Sequence, residues 1–217
     1  MFVADRMTHP VITVHPDLPI TDALNLMRKD DISRLPVVDK RGRLVGIVSE
    51  KDLLHAAPSS ATSLSVWELN YLLSKITVKD TMQTKVVTVS ADTPIEEAAR
   101  IMIDNAVHGL PVMKGGKMVG IITETDIFKV FLEMLGAREA GIRATALVGN
   151  VPGEFARLTK AVYDIGGNIV AMASFLGESS EDRQVTIKVE GVEQAALKKA
   201  IQPVVKRLDD VREMTPA

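Results

Sequence analysis

The sequence predicts an α+β protein with two copies of one small unit followed by a separate βαββαβ domain. Residues from 3 to 53 recur from residue 78 onward, and the offset of 75 positions drops to 74 where one turn loses a residue. Each copy follows the order strand, helix, strand, strand, helix, and the pattern changes after Gly136. A unit of about fifty residues buries its own sheet poorly, so we expect the two copies to pack on each other.

The first helix of each copy is predicted from apolar residues spaced three and four positions apart. Pro19 and Pro94 lie at the first turn of these helices. Thr93, three residues before Glu96, predicts a capping box at the start of the second of them. The apolar positions are Ile20, Ala23, Leu24 and Met27 in the first copy and Ile95, Ala98, Ala99 and Met102 in the second.

Two short β-rich runs follow each of these helices, and glycine-containing segments of the kind found in hairpin turns join them. The runs are Leu35 to Val38, Leu44 to Ser49, Leu110 to Met113, and Met118 to Thr123. A second helix is predicted to begin at Asp52 in one copy and at Asp126 in the other.

A further helix is predicted between the copies. A small-residue linker at 56–63 precedes Ser65, which forms a capping box with Glu68. We interpret Trp67 and Tyr71 as packed aromatic side chains rather than a docking surface. The apolar face of this helix consists of Val66, Leu69, Leu72, Leu73 and Ile76.

The repeat resembles the CBS domain, which occurs as a tandem pair called a Bateman module. Besides the repetition, Leu-Pro-Val at 35–37 and 110–112 and the pattern Gly-x-x-Ser/Thr-x-x-Asp at the end of each second hairpin strand carry the resemblance. It implies a first repeat with its linker helix over residues 1–76 and a second repeat over residues 77–138.

Four residues at the strand ends are candidate ligand contacts. Ser49 and Thr123 stand where a helix begins, and Asp52 and Asp126 follow three positions later. N-capping explains these residue types without any ligand. The resemblance implies a second role, because the same carboxylate can accept two hydrogen bonds from a ribose diol. We expect a ligand at one or both of these sites, with capping alone as the alternative.

The residues before Leu-Pro-Val differ between the copies and include Arg34 and His108. The resemblance places these positions at the cleft between the repeats and pairs Asp52 with His108, and Asp126 with Arg34. We prefer the second pair for phosphate, since guanidinium presents a planar fork of donors and a histidine contact depends on pH. A surface Arg34 paired with a neighbouring aspartate, and a packed His108, are the alternatives.

The C-terminal part is predicted as strand, helix, strand, strand, helix, strand. Its first helix opens after Asn150 and ends at Gly166 and Gly167. We expect Phe155, Leu158, Val162 and Ile165 to form the apolar face of that helix. The remaining predicted elements are strands at 141–148, 168–176, 183–189 and 210–214, and a helix at 192–206.

This part resembles the ACT domain through Asn150, the Pro-Gly pair that ends at Gly153, and a Gly-x-Asn-Ile sequence that contains Asn168. The resemblance implies a ferredoxin-like ACT domain over residues 141–217. A Pro-Gly turn can expose helix amides to an amino acid's carboxylate, while Asn150 bonds its ammonium group. The alternatives are that these residues only shape the loop and that the sheet edge pairs in a dimer.

The composition argues against several function classes. The chain has no cysteine, so it cannot form disulfides or thiolate metal sites. Its 26 basic and 28 acidic residues leave no basic stripe for nucleic acid, and its four histidines are scattered, so we expect no metal site. There is no run of about eighteen apolar residues and no secretory signal pattern, which favours a cytoplasmic protein without membrane insertion.

We therefore predict a regulatory protein and not an enzyme, because no catalytic triad, carboxylate pair or phosphate-binding GxxxxGK motif can be assembled. The resemblance implies AMP, ADP, ATP, NAD or S-adenosylmethionine as a regulatory ligand, with no obligatory cofactor. The domain combination, with no attached catalytic domain, resembles acetoin-utilisation AcuB-type proteins. We expect an allosteric regulator that acts on an enzyme in trans. We expect a homodimer. The rival hypothesis is a ligand-free structural or adaptor protein.

Overall fold

The structure is a computed structural model that describes residues 1–56 and 75–215. The chain divides into two compact units, Met1–Ile127 and Phe128–Ala217. The helix predicted to begin at Ser65 lies outside the described residues except for Lys75 and Ile76. The carbonyl of Ile76 accepts a 3.1 Å hydrogen bond from the amide of Ile20. Among the described helices, none has the length and apolar character needed to cross a membrane.

Both copies in the first unit contain the order helix, strand, strand, helix. The predicted opening strand is present in the second copy, but in the first it is reduced to an isolated bridge between Val14 and Val37. The last helix continues past the end of this unit into the second. In the first copy the elements are α1 (Ile20–Lys29), β1 (Arg34–Val38), β2 (Leu44–Ser49) and α2 (Glu50–Ala56). In the second they are β3 (Val89–Ser90), α3 (Ile95–Asp104), β4 (Gly109–Lys114), β5 (Lys117–Thr123) and α4 (Glu124–Met134).

The predicted helix faces of α1 and α3 are confirmed, although the predicted capping box is wrong. The three buried positions of α1 are Ile20, Ala23 and Met27, and those of α3 are Ile95, Ala98 and Met102. Pro94 is the N-cap of α3, and no side-chain cap hydrogen bond is present there. Thr93 therefore lies one residue too early to cap, and the amides of Glu97 and Ala98 donate to the carbonyl of Pro94.

The two predicted hairpins are confirmed, and each has the same irregularity. Strands β1 and β2 pair antiparallel with a register shift after Val37, and β4 and β5 pair antiparallel with a shift after Val112. The second helices begin at Glu50 and Glu124, two residues before the predicted starts. The reason is that the aspartates lie inside the first turn rather than at the helix boundary.

The opening segments of the two copies are exchanged. Thr8 exchanges two backbone hydrogen bonds with Ile121, at 2.8 and 3.1 Å, and Gln83 does the same with Ile47 at 2.9 and 3.0 Å. Val78, which precedes the second copy's first strand, is fully buried in the core of the first copy. The opening segment of each copy therefore packs against the hairpin of the other copy. This exchange explains how units of this size acquire a core.

A glycine in each copy permits this exchange. A Cβ added at Gly46 would lie 2.6 Å from the sulfur of Met82 and 3.1 Å from the carbonyl oxygen of Gln83. Gly120 is approached in the same way by Met7. Any larger side chain here would push the exchanged segment away from the hairpin.

The second unit has the predicted βαββαβ order. Its sheet is antiparallel with the strand order β7 (Asn168–Leu176), β8 (Asp182–Glu190), β6 (Gly141–Gly149), β9 (Arg207–Met214), so the first and third strands in chain order are central. The second helix was predicted to reach Lys206 but ends at Ile201, because Pro203 follows in a 3-10 turn. The elements are β6 (Gly141–Gly149), α5 (Glu154–Asp164), β7 (Asn168–Leu176), β8 (Asp182–Glu190), α6 (Gln194–Ile201) and β9 (Arg207–Met214).

The core of the second unit lies between the sheet and its two helices. Leu158 and Val162 of α5 are buried as predicted, but Phe155 is 40% exposed. Glu154 is buried instead, because α5 begins at Glu154 and the residues four and eight positions later share its face. The sequence interpretation of Phe155 as a core residue is therefore wrong. The buried core residues of the sheet and α6 include Val185, Ile187, Val189, Leu197 and Ile201.

Candidate ligand sites

The predicted capping role of the strand-end residues is present in both copies. Oδ2 of Asp52 accepts hydrogen bonds from the Ser49 amide at 2.9 Å and from its hydroxyl at 2.6 Å, and the Asp52 amide donates to Ser49 Oγ at 3.2 Å. Oδ2 of Asp126 accepts from the amide and hydroxyl of Thr123 at 2.9 and 2.8 Å. These capping bonds use one oxygen of each carboxylate, and a carboxylate has about four acceptor positions.

A cavity of about 530 Å³ in the first unit collects candidate residues from both copies. Its lining includes Arg34, Ser49, Asp52 and His108. We call it the Asp52 cavity. Its volume lies in the range of pockets that hold small organic ligands. Asp52 and His108, which were predicted to share a site, therefore line the same cavity. Thr123 and Asp126 are not among its lining residues.

Arg34 lies at the centre of this arrangement. A Cβ added at Gly109 would meet Cδ of Arg34 at 3.3 Å, so the arginine stem passes over that glycine. Burial lowers the pKa of Arg34, and the carboxylates of Glu124 and Asp52 oppose this change. Because a guanidinium stays protonated in proteins, Arg34 supplies a fixed positive charge between carboxylates of the two copies. The lining of the Asp52 cavity includes Arg34 but not its predicted partner Asp126.

His108 is an exposed ring in the cavity lining and not a packed core side chain. Its side chain is 60% exposed, and Nδ1 lies 2.9 Å from Oε1 of Glu124. The ring can therefore reach both this carboxylate and a ligand in the cavity.

Sequence reasoning missed several lining residues of the Asp52 cavity. Lys85 and Val86 belong to the exchanged opening segment of the second copy, and Asn105 and Val107 follow α3. Ala106 in this loop has a φ of 52°, in the left-handed region. The sequence offered one indication of a role for Lys85, because this charged residue stands at a position where the first copy has Pro10.

A second cavity, of about 660 Å³, lies at the start of α5 in the second unit. Asn150, Gly153, Phe155 and Arg183 are among its lining residues. Gly153 has a φ of 91°, a left-handed conformation that glycine adopts without strain, as the Pro-Gly turn requires. The Asn150 side chain already donates to the carbonyl of Ser180 at 2.9 Å.

Asn168 does not line this cavity. Its side-chain amide donates to Oε1 of Glu190 at 2.7 Å, at the start of β7. The structure thus brings Asn150 and Gly153 together and leaves the third predicted residue elsewhere in the unit. Within residues 1–56 and 75–215, no group of three or more histidine or carboxylate side chains is arranged to hold a metal ion.

The family model of the CBS domain matches residues 3–59 and 78–133, which together make up more than half of the chain. The chain belongs to the CBS domain family. This CBS protein is 32% identical to an uncharacterised protein of Methanocaldococcus jannaschii, in an alignment that covers 61% of this chain and 92% of that one. It is also 32% identical to inosine-5′-monophosphate dehydrogenase of the same organism over 75% of this chain, but the match spans only 30% of that enzyme.

Three solved structures resemble the CBS pair. A putative acetoin utilization protein (AcuB) from Vibrio cholerae is 32% identical, with a TM-score of 0.53 over 64% of this chain and 96% of that one. The CBS domain pair of protein MJ0100, in complex with 5-methylthioadenosine and S-adenosyl-L-methionine, is 30% identical, with a TM-score of 0.51 over 60% and 95%. CBSX2 in complex with AMP is 34% identical, with a TM-score of 0.52 over 61% and 97%.

Proposed function

We propose that this CBS protein is a regulatory sensor that binds an adenine nucleotide or a related adenosyl ligand in the Asp52 cavity. One observation carries the proposal. Asp52, Arg34 and His108, which come from both repeats, line a single cavity large enough for such a ligand. Structural relatives in complex with AMP, and with 5-methylthioadenosine and S-adenosylmethionine, support the ligand class.

The residues of the cavity suit the parts of an adenosyl ligand. The free acceptor capacity of the capped Asp52 carboxylate suits a ribose diol, and Ser49 fixes the orientation of that carboxylate. Val86 and Val107 offer apolar surface for the base. Arg34 provides a planar set of donors for a phosphate.

Binding would act through the two repeats. Because both repeats contribute to one cavity, a ligand that contacts both favours the arrangement of repeats that fits it. Such a shift in population can be passed to a regulated enzyme in trans, which is the partner that we propose. We assign the repeats to residues 1–76 and 77–138, and we propose that the protein acts as a homodimer without catalysing a reaction of its own.

We propose further that residues 141–217 form an ACT domain that binds an amino acid. The specific observation is the left-handed Gly153 at the start of α5, beside a cavity that also contains Arg183. The guanidinium of Arg183 suits a carboxylate, and the turn exposes amides next to it. The side-chain oxygen Oδ1 of Asn150 accepts a 3.4 Å hydrogen bond from Nε of Arg183.

Calorimetric titration of the full chain tests the sensor proposal. AMP, ADP, ATP, NAD and S-adenosylmethionine are added separately, and we expect saturable binding of one or more of them. Replacing Asp52 by asparagine should weaken that binding about tenfold or more, because it removes a charged hydrogen-bond acceptor. If none of the five ligands binds, the adaptor hypothesis replaces the sensor hypothesis.

A further inference from the structure

The two repeats allow the Asp52 cavity to be compared with the matching positions on the other side of the cleft. Asp52 matches Asp126, and Ser49 matches Thr123, with the same capping bonds. We call the set of matching positions the counterpart side. The backbones agree closely, since Ala106 in the cavity has a φ of 52° and its match Asp31 has a φ of 51°.

The exchanged segments also match. Gln83 pairs with Ile47 beside the Asp52 cavity, and Thr8 pairs with Ile121 on the counterpart side, each through two backbone hydrogen bonds. Residues at the same position in the two repeats therefore occupy equivalent places around the cleft. Differences in side-chain charge between the two sides are consequently differences in the charge that a ligand meets.

The counterpart side lacks two positive charges of the cavity. Lys51 and Lys85 line the Asp52 cavity. Their matches are Thr125 and Pro10, neither of which carries a charge. Arg34 does not offset this loss, because it lies near the centre, between Asp52 and Glu124.

The counterpart side also gains two negative charges. Asn105 and Ala106 of the cavity lining are matched by Asp30 and Asp31. Arg34 lies near both sides, so it is left out of the comparison. The cavity then has two lysines against two carboxylates, Asp52 and Glu50. The matching positions on the counterpart side have four carboxylates and no lysine. The four are Asp30, Asp31, Glu124 and Asp126.

We infer that a phosphate-bearing adenosyl ligand binds in the Asp52 cavity and is excluded from the counterpart side. This inference rests on the proposed sensor function and replaces the initial preference for Asp126 with Arg34 as the phosphate site. The physical reason is that like charges in a partly desolvated cleft repel, while the lysines of the cavity attract a phosphate.

The inference predicts one AMP per chain and an unequal effect of two matched variants. Asp52→Asn and Asp126→Asn replace the same capping carboxylate by an amide in the two repeats, so any effect on the helix start is shared. By calorimetry, Asp52→Asn should weaken AMP binding about tenfold or more, because a charged acceptor is lost. Asp126→Asn should change it less than about twofold, since that site holds no phosphate ligand.

A second variant isolates the phosphate. Lys85→Gln should weaken AMP binding about fivefold to tenfold and leave adenosine binding within about twofold, because only the charged ligand uses the ammonium group. Lys117→Gln, at an exposed lysine of the hairpin outside the cavity lining, is the matched control and should change neither. A structural effect of Lys85→Gln would weaken both ligands equally and would contradict the inference.

The experiments distinguish a wrong site assignment from a wrong sensor function. If wild-type protein binds two equivalent AMP molecules, or if Asp126→Asn is the variant that weakens AMP, the site assignment is wrong although the sensor function stands. If wild-type protein binds none of AMP, adenosine and S-adenosylmethionine, the sensor function itself is wrong, and the site assignment fails with it.

Discussion

The two repeats of the first unit have the same framework and different clefts. Leu35 and Leu110 occupy the same fully buried position in their hairpins. The residues one position earlier differ, since the first repeat has Arg34 and the second has Gly109. Arg34 projects across the cleft, while its match Gly109 leaves the space that the arginine stem occupies.

The difference separates what folding requires from what a ligand requires. Core and capping positions have to satisfy the same packing and backbone hydrogen bonds in both repeats, so they keep the same residue types. Cleft positions such as Lys85 and Pro10 face no such constraint. A symmetric framework can therefore carry different charges on the two sides of the cleft.

We expect the greatest loss of stability from matched substitutions in the cores of the two repeats, and these substitutions test whether the two cores are equivalent. Leu35→Ala and Leu110→Ala should each lower the free energy of unfolding by about 2 to 5 kcal/mol, because each leaves a cavity in a fully buried position. Urea denaturation of both variants measures this. Ile103→Ala, at a side chain that is 80% exposed, is the control and should have little effect. A cost confined to one leucine would mean that the repeats do not share an equivalent core.

We expect a moderate loss of stability when the matched positions Arg34 and Gly109 are both made arginine. Gly109→Arg should destabilise the protein by about 1 to 3 kcal/mol, since the new side chain overlaps the stem of Arg34. The double variant Arg34→Gly with Gly109→Arg should recover most of that loss, because it restores a single arginine. Thermal unfolding of the single and double variants measures the coupling between the two positions. Additive losses would show that the two positions do not share the same space.

We expect the least change in stability from substitutions in the two hairpin turns. In the first turn, Asp39 accepts hydrogen bonds from the Arg43 amide at 2.9 Å and from its guanidinium at 2.8 Å, and these lower the pKa of Asp39. A lowered folded-state pKa adds stability that is present above the unfolded value of about 3.9 and is lost as the pH falls through the folded value. The second turn consists of Gly115 and Gly116 and has no carboxylate.

We therefore expect Asp39→Asn to be slightly less stable than wild type near neutral pH, and the gap to close as the pH falls below about 4. Urea denaturation at several pH values measures this gap. Gly116→Ala strains a residue whose φ is 77°, so its cost should not depend on pH. A gap for Asp39→Asn that is constant across this pH range would exclude the carboxylate as its source.

Local patterns predicted most elements and only part of the sites. The three- and four-residue spacing located Ile20 and Met27 on a buried helix face, as the structure has them. The same reasoning failed for Phe155, because the face that a helix buries depends on where the helix starts. Asn168 was assigned to a site by its neighbours in sequence, but the sheet places it beside Glu190 instead.

Local sequence patterns were sufficient to predict the repeat, the hairpins, the strand-end capping pairs and the order of elements in the C-terminal unit, because periodicity and turn chemistry act between residues close in the chain. Three features are visible only in the folded chain: the exchange of the opening segments, the position of Lys85 and Asp52 in one cavity, and the path of Arg34 over Gly109. These are contacts between segments far apart in the chain, and they depend on how the two repeats pack together.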